Sequence, residues 1–316
     1  MVTLSIPSRY HSGDLAAKVL ILGSTGFFGR AVAHAILDAG YQVRALVRDV
    51  GRAGALRVRG AELVVGDATH APSLHAAAAG VDAIVDLVAV RRNRPQTFLA
   101  VNMESPRLVG EAAQANNVKK VVFVSAIGAR PDPKYEYLVS RWAGEEALKR
   151  TGAPYVILRF SFILGEDGGV VDDFERAVHL GPIIVIPGSG EQHLQPIIRE
   201  DAARCVVEAI GRADLYGQTL ELGGPEILTY SQLFGFFCQA RGIKKPRIPL
   251  PAALLMPGAA ILEIFMNNPV ATPTELKAIV EDNVAPSLDT VLVNFNFRAH
   301  SPSQWATTHW RDRTVK

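Results

Sequence analysis

Cysteine is nearly absent from this 316-residue chain: there are two, Cys205 and Cys238, far apart and each in an apolar, helix-like setting. Such a pair reads as buried thiols of a reducing compartment rather than a disulfide framework. Aromatic residues are sparse at 7%, and no sign of charge dominates: 33 Lys and Arg stand against 31 Asp and Glu, a formal net charge of +2. That balance is too small to point to nucleic acid or an anionic membrane as the main partner. Uninterrupted hydrophobic runs are lacking too. The longest, Ile248 to Met266, approaches a membrane span in length, but Pro249, Pro251, Pro257 and Glu263 break it. A helix packed in the core or lying against a partner is expected there, with a membrane-surface role as the lesser alternative and no transmembrane segment. The histidines (His11, His34, His70, His75, His179, His193, His300 and His309) show no paired ligand spacing, and neither cysteine has a close thiol partner, so no metal site is expected. The first residues, MVTLSIPSRYHSGDLAA, lack a basic flank, an apolar run and a small-residue cleavage pattern. A flexible tail over 1–17 and a cytoplasmic protein are expected, with a peripheral position at the inner membrane face as the alternative.

What is present is a regular alternation. Apolar β-type runs at Val19–Leu22, Gln42–Val47, Glu62–Val65, Ala83–Val88, Val121–Ser125 and Tyr155–Arg159 are interleaved with helical spacing at Arg30–Ala39, Asn102–Asn116 and Tyr137–Arg150. Near-continuous apolar strands separated by helices imply a parallel sheet covered on both faces. The expected fold is therefore α/β, a Rossmann-type doubly wound sheet over 18–160. Beyond Phe160 the rhythm changes: GEDGG, GPIIVIPGSG and LGGPEILTY are rich in glycine and proline, and helices return at Asp201–Gly211, Ser231–Ala240 and Thr274–Ile279. This predicts a smaller mixed substrate-side lobe over 161–316, with 200–212 packing back on the first domain.

One stretch carries a mechanism. In VLILGSTGFFGRAVAHAIL, Gly23, Gly26 and Gly29 follow a strand and open a helix, and a second strand ends about 20 residues on, the spacing the dinucleotide fingerprint requires. Glycine there permits a tight turn and close approach to a pyrophosphate, whose charge meets the amides of the helix N-terminus. The second strand ends ALVRD, so Arg48 and Asp49 compete for the ribose position. A guanidinium clamps the 2′-phosphate of NADP, whereas an acid binds the ribose hydroxyls of NAD; Arg48 comes first, which favours NADP(H) over NAD(H).

That loop, ALVRD, VVGDATHAPSL, AIVDLVAV, VNMESPRLVGEAA, VVFVSAIGA, YLVSRWAGEEALKRTGAPYVILR and LQPIIREDAARCVVEAI together resemble the extended and atypical short-chain dehydrogenase/reductase superfamily. GQTLELGGPEILTYSQL and TPTELKAIVEDNVA are similar to its bacterial branch related to the nucleotide-binding accessory subunit of respiratory complex I. The resemblance implies that Gly23, Ser24, Thr25, Gly26, Phe27, Phe28 and Gly29 form the pyrophosphate loop and Arg48 meets the 2′-phosphate. It also implies that Asp67 and Ala68 lie along the adenine, that Leu87, Val88 and Ala89 pass beneath the cofactor, and that Asn102 and Phe160 belong to the same site.

For chemistry, active members of that superfamily use a tyrosine, a lysine four residues later and a strand-end serine. Here Tyr137 and Arg141 share a helix face, and Ser125 ends the strand. Tyr135 is the poorer candidate, having Val139 four residues on. The pattern departs in two places: Arg141 replaces lysine and cannot relay a proton, and Arg159 is followed by Phe160 where proline is usual. Arg91, Arg92 and Arg94 read as a solvated loop, with an anionic substrate as the alternative. The readings left open are an NADPH-dependent reductase of a carbonyl or activated double bond, a non-catalytic NADP(H)-binding accessory, assembly or redox-sensing protein, and a nucleotide-sugar epimerase or dehydratase. The last would need the intact Tyr-Lys pair. No small-molecule substrate is identified.

Overall fold

The computed structural model describes residues 17–92, 97–266 and 269–311. The tail expected over 1–17 lies outside the described residues except for Ala17, as does Arg94 of the basic cluster. The first half runs β1 (Lys18–Leu22), α1 (Phe27–Asp38), β2 (Gln42–Val47), α2 (Gly54–Val58), β3 (Glu62–Val65), α3 (Ala71–Ala78), β4 (Ala83–Asp86), α4 (Ser105–Ala115), β5 (Lys120–Ala126), α5 (Glu136–Arg150) and β6 (Tyr155–Phe160). There follow β7 (Ile163–Leu164), α6 (Val170–His179), β8 (Ile184–Pro187), β9 (His193–Leu194), β10 (Ile197–Ile198), α7 (Arg199–Gly211), β11 (Thr219–Leu222), β12 (Leu228–Thr229) and α8 (Tyr230–Ala240). The chain ends with β13 (Arg247–Leu250), α9 (Ala252–Phe265), α10 (Pro273–Ile279), α11 (Thr290–Phe295) and α12 (Pro302–His309).

The expected Rossmann-type sheet is present: seven strands in the order β11-β6-β5-β4-β1-β2-β3. The pairings from β3 through β2, β1 and β4 to β5 are parallel. The chain winds outward from β1 through β2 to β3, then returns to β4 beside β1, which makes the β1/β4 boundary the topological switch point.

The chain divides into two compact units. The first comprises residues up to Ser125, Ser140–Leu158 and Ala203–Leu220. Its core is built from the apolar runs, with Leu20, Leu22, Ile84, Val121, Phe123 and Ile157 solvent-free among side chains of the helices. Lys120, 2% exposed, binds the end of α7 to this unit: its Nζ donates to the carbonyls of Ala209 (3.1 Å) and Arg212 and lies 4.2 Å from the Tyr216 ring centre.

The second unit comprises Ala126–Val139, Arg159–Ala202 and residues from Glu221 onward. Phe174 of α6 packs among Tyr230, Phe234 and Phe237 of α8, and Trp310 closes the cluster with its indole donating to the Gly165 carbonyl at 3.1 Å. The GEDGG loop turns through Gly168 and Gly169, both at positive φ, and Asp167 pairs with Arg199 at 3.0 Å. Both cysteines are buried. One expectation needs correction. The run Ile248–Met266 is not packed in the core: it forms β13 and α9, and of the residues of α9 only Ala259 is buried. Apolar composition alone does not reveal burial, because a helix apolar on every side carries no pattern that says which side has a partner.

Candidate nucleotide site and the buried cluster behind it

The glycines are placed by hard contacts. Gly23 follows β1 at φ +81°, where a Cβ would stand 3.2 Å from the Leu87 carbonyl carbon and 3.3 Å from the Val88 nitrogen. Gly29, in the first turn of α1, is tighter: a Cβ would fall 1.9 Å from the Gly23 carbonyl oxygen. Gly26 caps α1 with extended backbone, and its amide donates to the Gly23 carbonyl at 3.1 Å. The turn is thus folded on itself at the switch point, against the residues that leave β4. Strand β4 ends at Asp86, so Leu87, Val88 and Ala89 lie just beyond it rather than within it.

This cradle fits a bound phosphate group. Ser24 is 1% exposed, and its Oγ is buried with no hydrogen-bond partner among the described residues. An orphaned hydroxyl inside a glycine turn is costly unless a ligand oxygen completes it. Phe27 and Phe28 begin the helix and are half-buried, so α1 starts earlier than its apolar spacing suggested.

At the end of β2 the two candidates separate. Asp49 caps the following turn, accepting the Gly51 amide at 2.8 Å. Arg48 is exposed. Asp67 accepts the Thr69 amide (2.8 Å) and hydroxyl (2.7 Å). Burial works to raise its carboxyl, but those two hydrogen bonds and the Arg48 and His70 charges hold it below the usual range. The Ala68 carbonyl accepts the Ser105 hydroxyl at 3.0 Å.

Asn102 is fully buried and uses its whole amide on the protein: Oδ1 accepts the Val90 amide (2.9 Å), and Nδ2 donates to the Val90 carbonyl and the Ser140 hydroxyl (2.9 Å each). It fixes the segment after β4 and the second turn of α5. Gly144 lets α5 come this close, since a Cβ there would lie 2.1 Å from the Asn102 carbonyl oxygen.

The residues expected to do chemistry have different surroundings. Arg141 is 1% exposed; it donates to the carbonyls of Val88 (3.4 Å) and Val124 and lies 4.8 Å from the Phe123 ring centre. The Ser125 hydroxyl donates to Glu145 Oε1 at 2.6 Å, and Glu145 is fully buried. Tyr137 is half-buried, whereas Tyr135 is buried with Arg130 and Lys134 standing 4.4 and 4.9 Å from its ring centre. Phe160 is buried, and its carbonyl accepts the Ile127 amide at 3.0 Å.

Glu145 and Asp86 escaped sequence reasoning. Glu145 was detectable as the next residue on the Tyr137–Arg141 helix stripe, and Asp86 as the lone acid inside AIVD. Asp86 is solvent-free; it accepts the Val88 amide at 3.0 Å through Oδ1, while Oδ2 has no hydrogen-bond partner among the described residues. Burial pushes its carboxyl up to about 6, against the opposing pull of that amide and of Arg141. The native carboxyl therefore keeps its proton to higher pH than the unfolded chain does. Its contribution to stability is full below the unfolded value of 3.8 and is lost as pH rises through about 6. The stability difference between the protein and Asp86→Asn should fall by on the order of 3 kcal/mol across that window. Urea unfolding of both proteins through the window measures it, and a difference independent of pH would contradict the assignment.

A glycine turn at the switch point of a doubly wound sheet, backed by an exposed arginine at the end of β2, defines a nicotinamide-dinucleotide-binding protein of the short-chain dehydrogenase/reductase type. A family model described as NAD(P)H-binding matches residues 23–213, and the chain belongs to that family, among the atypical members of the superfamily. A photosystem II assembly factor of Cyanophora paradoxa is 32% identical over 45% of this chain, but that match spans only 44% of the relative. An NAD(P)H azoreductase of Xenophilus azovorans is 25% identical over 71% of this chain and 74% of its own. Mitochondrial NADH dehydrogenase (ubiquinone) 1 alpha subcomplex subunit 9 of Arabidopsis thaliana is 23% identical over 80% of this chain and 65% of its own, in keeping with the complex I resemblance. Among solved structures, an NADPH-dependent quinone oxidoreductase of Escherichia coli complexed with NADPH shares the fold, with TM-score 0.70, 20% identity and coverage of 92% and 98% of the two chains. No helix among the described residues is long and apolar enough to cross a membrane.

Proposed function

We propose that this chain is an NADP(H)-dependent reductase of a carbonyl or an activated double bond. The observation that carries the cofactor choice is the division of labour after β2, where both side chains are exposed but the Asp49 carboxylate is engaged by the Gly51 amide of its own turn. The amides of Gly23–Gly29 and the Ser24 hydroxyl hold the pyrophosphate, Arg48 clamps the 2′-phosphate, and Asp67 and Ala68 flank the adenine. Leu87, Val88 and Ala89 line the floor that Asn102 keeps in place, and Phe160 belongs to the same cofactor site. When bound, the dihydronicotinamide supplies a hydride. Tyr137 gives a proton to the oxygen or carbon left electron-rich, Arg141 contributes a fixed positive charge, and Ser125 orients the acceptor once its hydroxyl turns from Glu145.

Arg48→Gln should weaken NADPH binding by about tenfold to a hundredfold, the loss of a charge-assisted phosphate contact, and leave NADH binding unchanged. Equal weakening of both nucleotides, read by titration calorimetry, would remove Arg48 from the site. Tyr137→Phe should lower turnover of a quinone or azo acceptor by about a hundredfold or more without altering nucleotide affinity; undiminished turnover would rule out the tyrosine as proton donor.

A second reading is favoured by two specific observations: the Ser125 hydroxyl is already donated to Glu145, and the Arg141 guanidinium is enclosed and hydrogen-bonded to carbonyls. In that reading the chain holds NADP(H) as a structural or sensing ligand, stabilised by mass action. It then serves a partner assembly as the photosystem II assembly factor and the complex I subunit do by name, through peripheral association at Ile248–Met266 and a cytoplasmic or inner-membrane-face location.

A further inference from the structure

The segment after α8 presents apolar side chains to solvent on a scale that isolated surface residues do not reach. In α9, Leu254 is 70% exposed, Ile261 58%, Ile264 67% and Phe265 82%, and the one charge in its 14 residues is Glu263. Scattered exposed leucines need no explanation, but a contiguous apolar helix does. At 1.5 Å per residue it is about 21 Å long, short of the roughly 30 Å needed to cross a hydrocarbon core.

Charge of one sign stands directly upstream. An open groove of about 720 Å³ is lined by Lys244, Lys245 and Arg247, with Glu191 its one acid. Two of these cations are fixed: Lys245 Nζ donates to the carbonyls of Val178 (2.5 Å) and Gly181 (2.8 Å), and Arg247 Nη1 to that of Ser231 (3.2 Å). Lys244 is exposed. The four residues of β13, paired in parallel with β8, then lead from the groove to α9. The near-zero net charge of the chain conceals this local excess.

We propose that this edge of the second unit docks on an anionic lipid surface, with α9 lying in the interface and the Lys244–Arg247 groove meeting lipid phosphates. The inference names the surface for the peripheral association described above, and it stands apart from the chemistry at the nucleotide site. An apolar helix joined to a cationic groove matches the two attractions an anionic bilayer offers, acyl-chain burial and headgroup charge.

The test is flotation with vesicles of phosphatidylcholine alone and of phosphatidylcholine mixed equally with phosphatidylglycerol. The full chain should bind the mixed vesicles, release as salt is raised, and bind phosphatidylcholine weakly. Leu254→Gln, Ile264→Gln and Phe265→Gln combined should weaken partition at least tenfold, and Lys244→Ala about fivefold. These positions are exposed, so melting temperature and NADPH affinity should stay at wild-type values in every variant. Retained NADPH binding also separates failure here from failure of the reductase reading. Absence of vesicle binding would overturn the proposal. So would equal binding to both vesicle types, or a concentration-dependent dimer that the triple variant dissociates, since that face would then pair two copies.

Discussion

Gly29→Ala is expected to abolish nucleotide binding, weakening it by more than a hundredfold, and to lower stability by about 1–3 kcal/mol. The added carbon would sit 1.9 Å from the Gly23 carbonyl oxygen, 2.8 Å from its carbon and 3.0 Å from Ser24 Cα, all backbone atoms of the turn itself. No rotamer relieves such a contact. The turn must move, and the amides proposed to hold the pyrophosphate move with it. Gly23→Ala adds strain at φ +81° to a 3.2 Å contact, so it should rank next. Gly54→Ala is the control, since nothing lies within 4 Å and helix propensity improves. Calorimetric titration with NADPH, together with urea unfolding, reads both quantities. Wild-type affinity in Gly29→Ala would mean that the turn does not cradle the ligand.

Arg141→Met should cost about 3–5 kcal/mol of stability. The methionine fills part of the space but leaves the Val124 and Val88 carbonyls without their donor and the buried Asp86 carboxyl without its facing cation. Asp86→Asn in the same chain should recover part of the loss, because the two positions are coupled and their effects are not additive. Arg141→Lys restores the usual Tyr-Lys spacing, yet an ammonium is a single point charge where the guanidinium forks between two carbonyls, so an intermediate loss is expected. Equilibrium unfolding of the single and double variants closes the cycle. A loss below 1 kcal/mol for Arg141→Met would show that the enclosed guanidinium is not needed to satisfy the sheet.

The sheet was legible because its strands are short, mostly apolar runs bounded by turn residues: Gln42–Val47 and Glu62–Val65 read from the sequence with their observed bounds. The glycine turn was legible because its spacing reports backbone geometry directly. Helix α3 was missed, its proline start signal at Ala71–Pro72 hidden inside a stretch read for its acid, and α6 was missed behind GEDGG. The exposure of α9 and the commitments of Ser125, Asn102 and Arg141 could not be read, since periodicity assigns a residue to a face but not to a partner. Arg141 shows this best: its spacing from Tyr137 is that of a catalytic pair, while its surroundings are two carbonyls and an aromatic ring.

The most direct measurement is the identity and dissociation rate of the nucleotide that copurifies with the protein, followed by exchange against labelled NADPH. An NADP(H)-dependent reductase must release its cofactor at least as fast as it turns over, and typical turnover is about 1 to 1000 per second. The expected result is NADP(H), exchanging within seconds. Release of NAD instead, or retention of NADP(H) for hours, would contradict the account, the first at Arg48 and the second at the reductase itself.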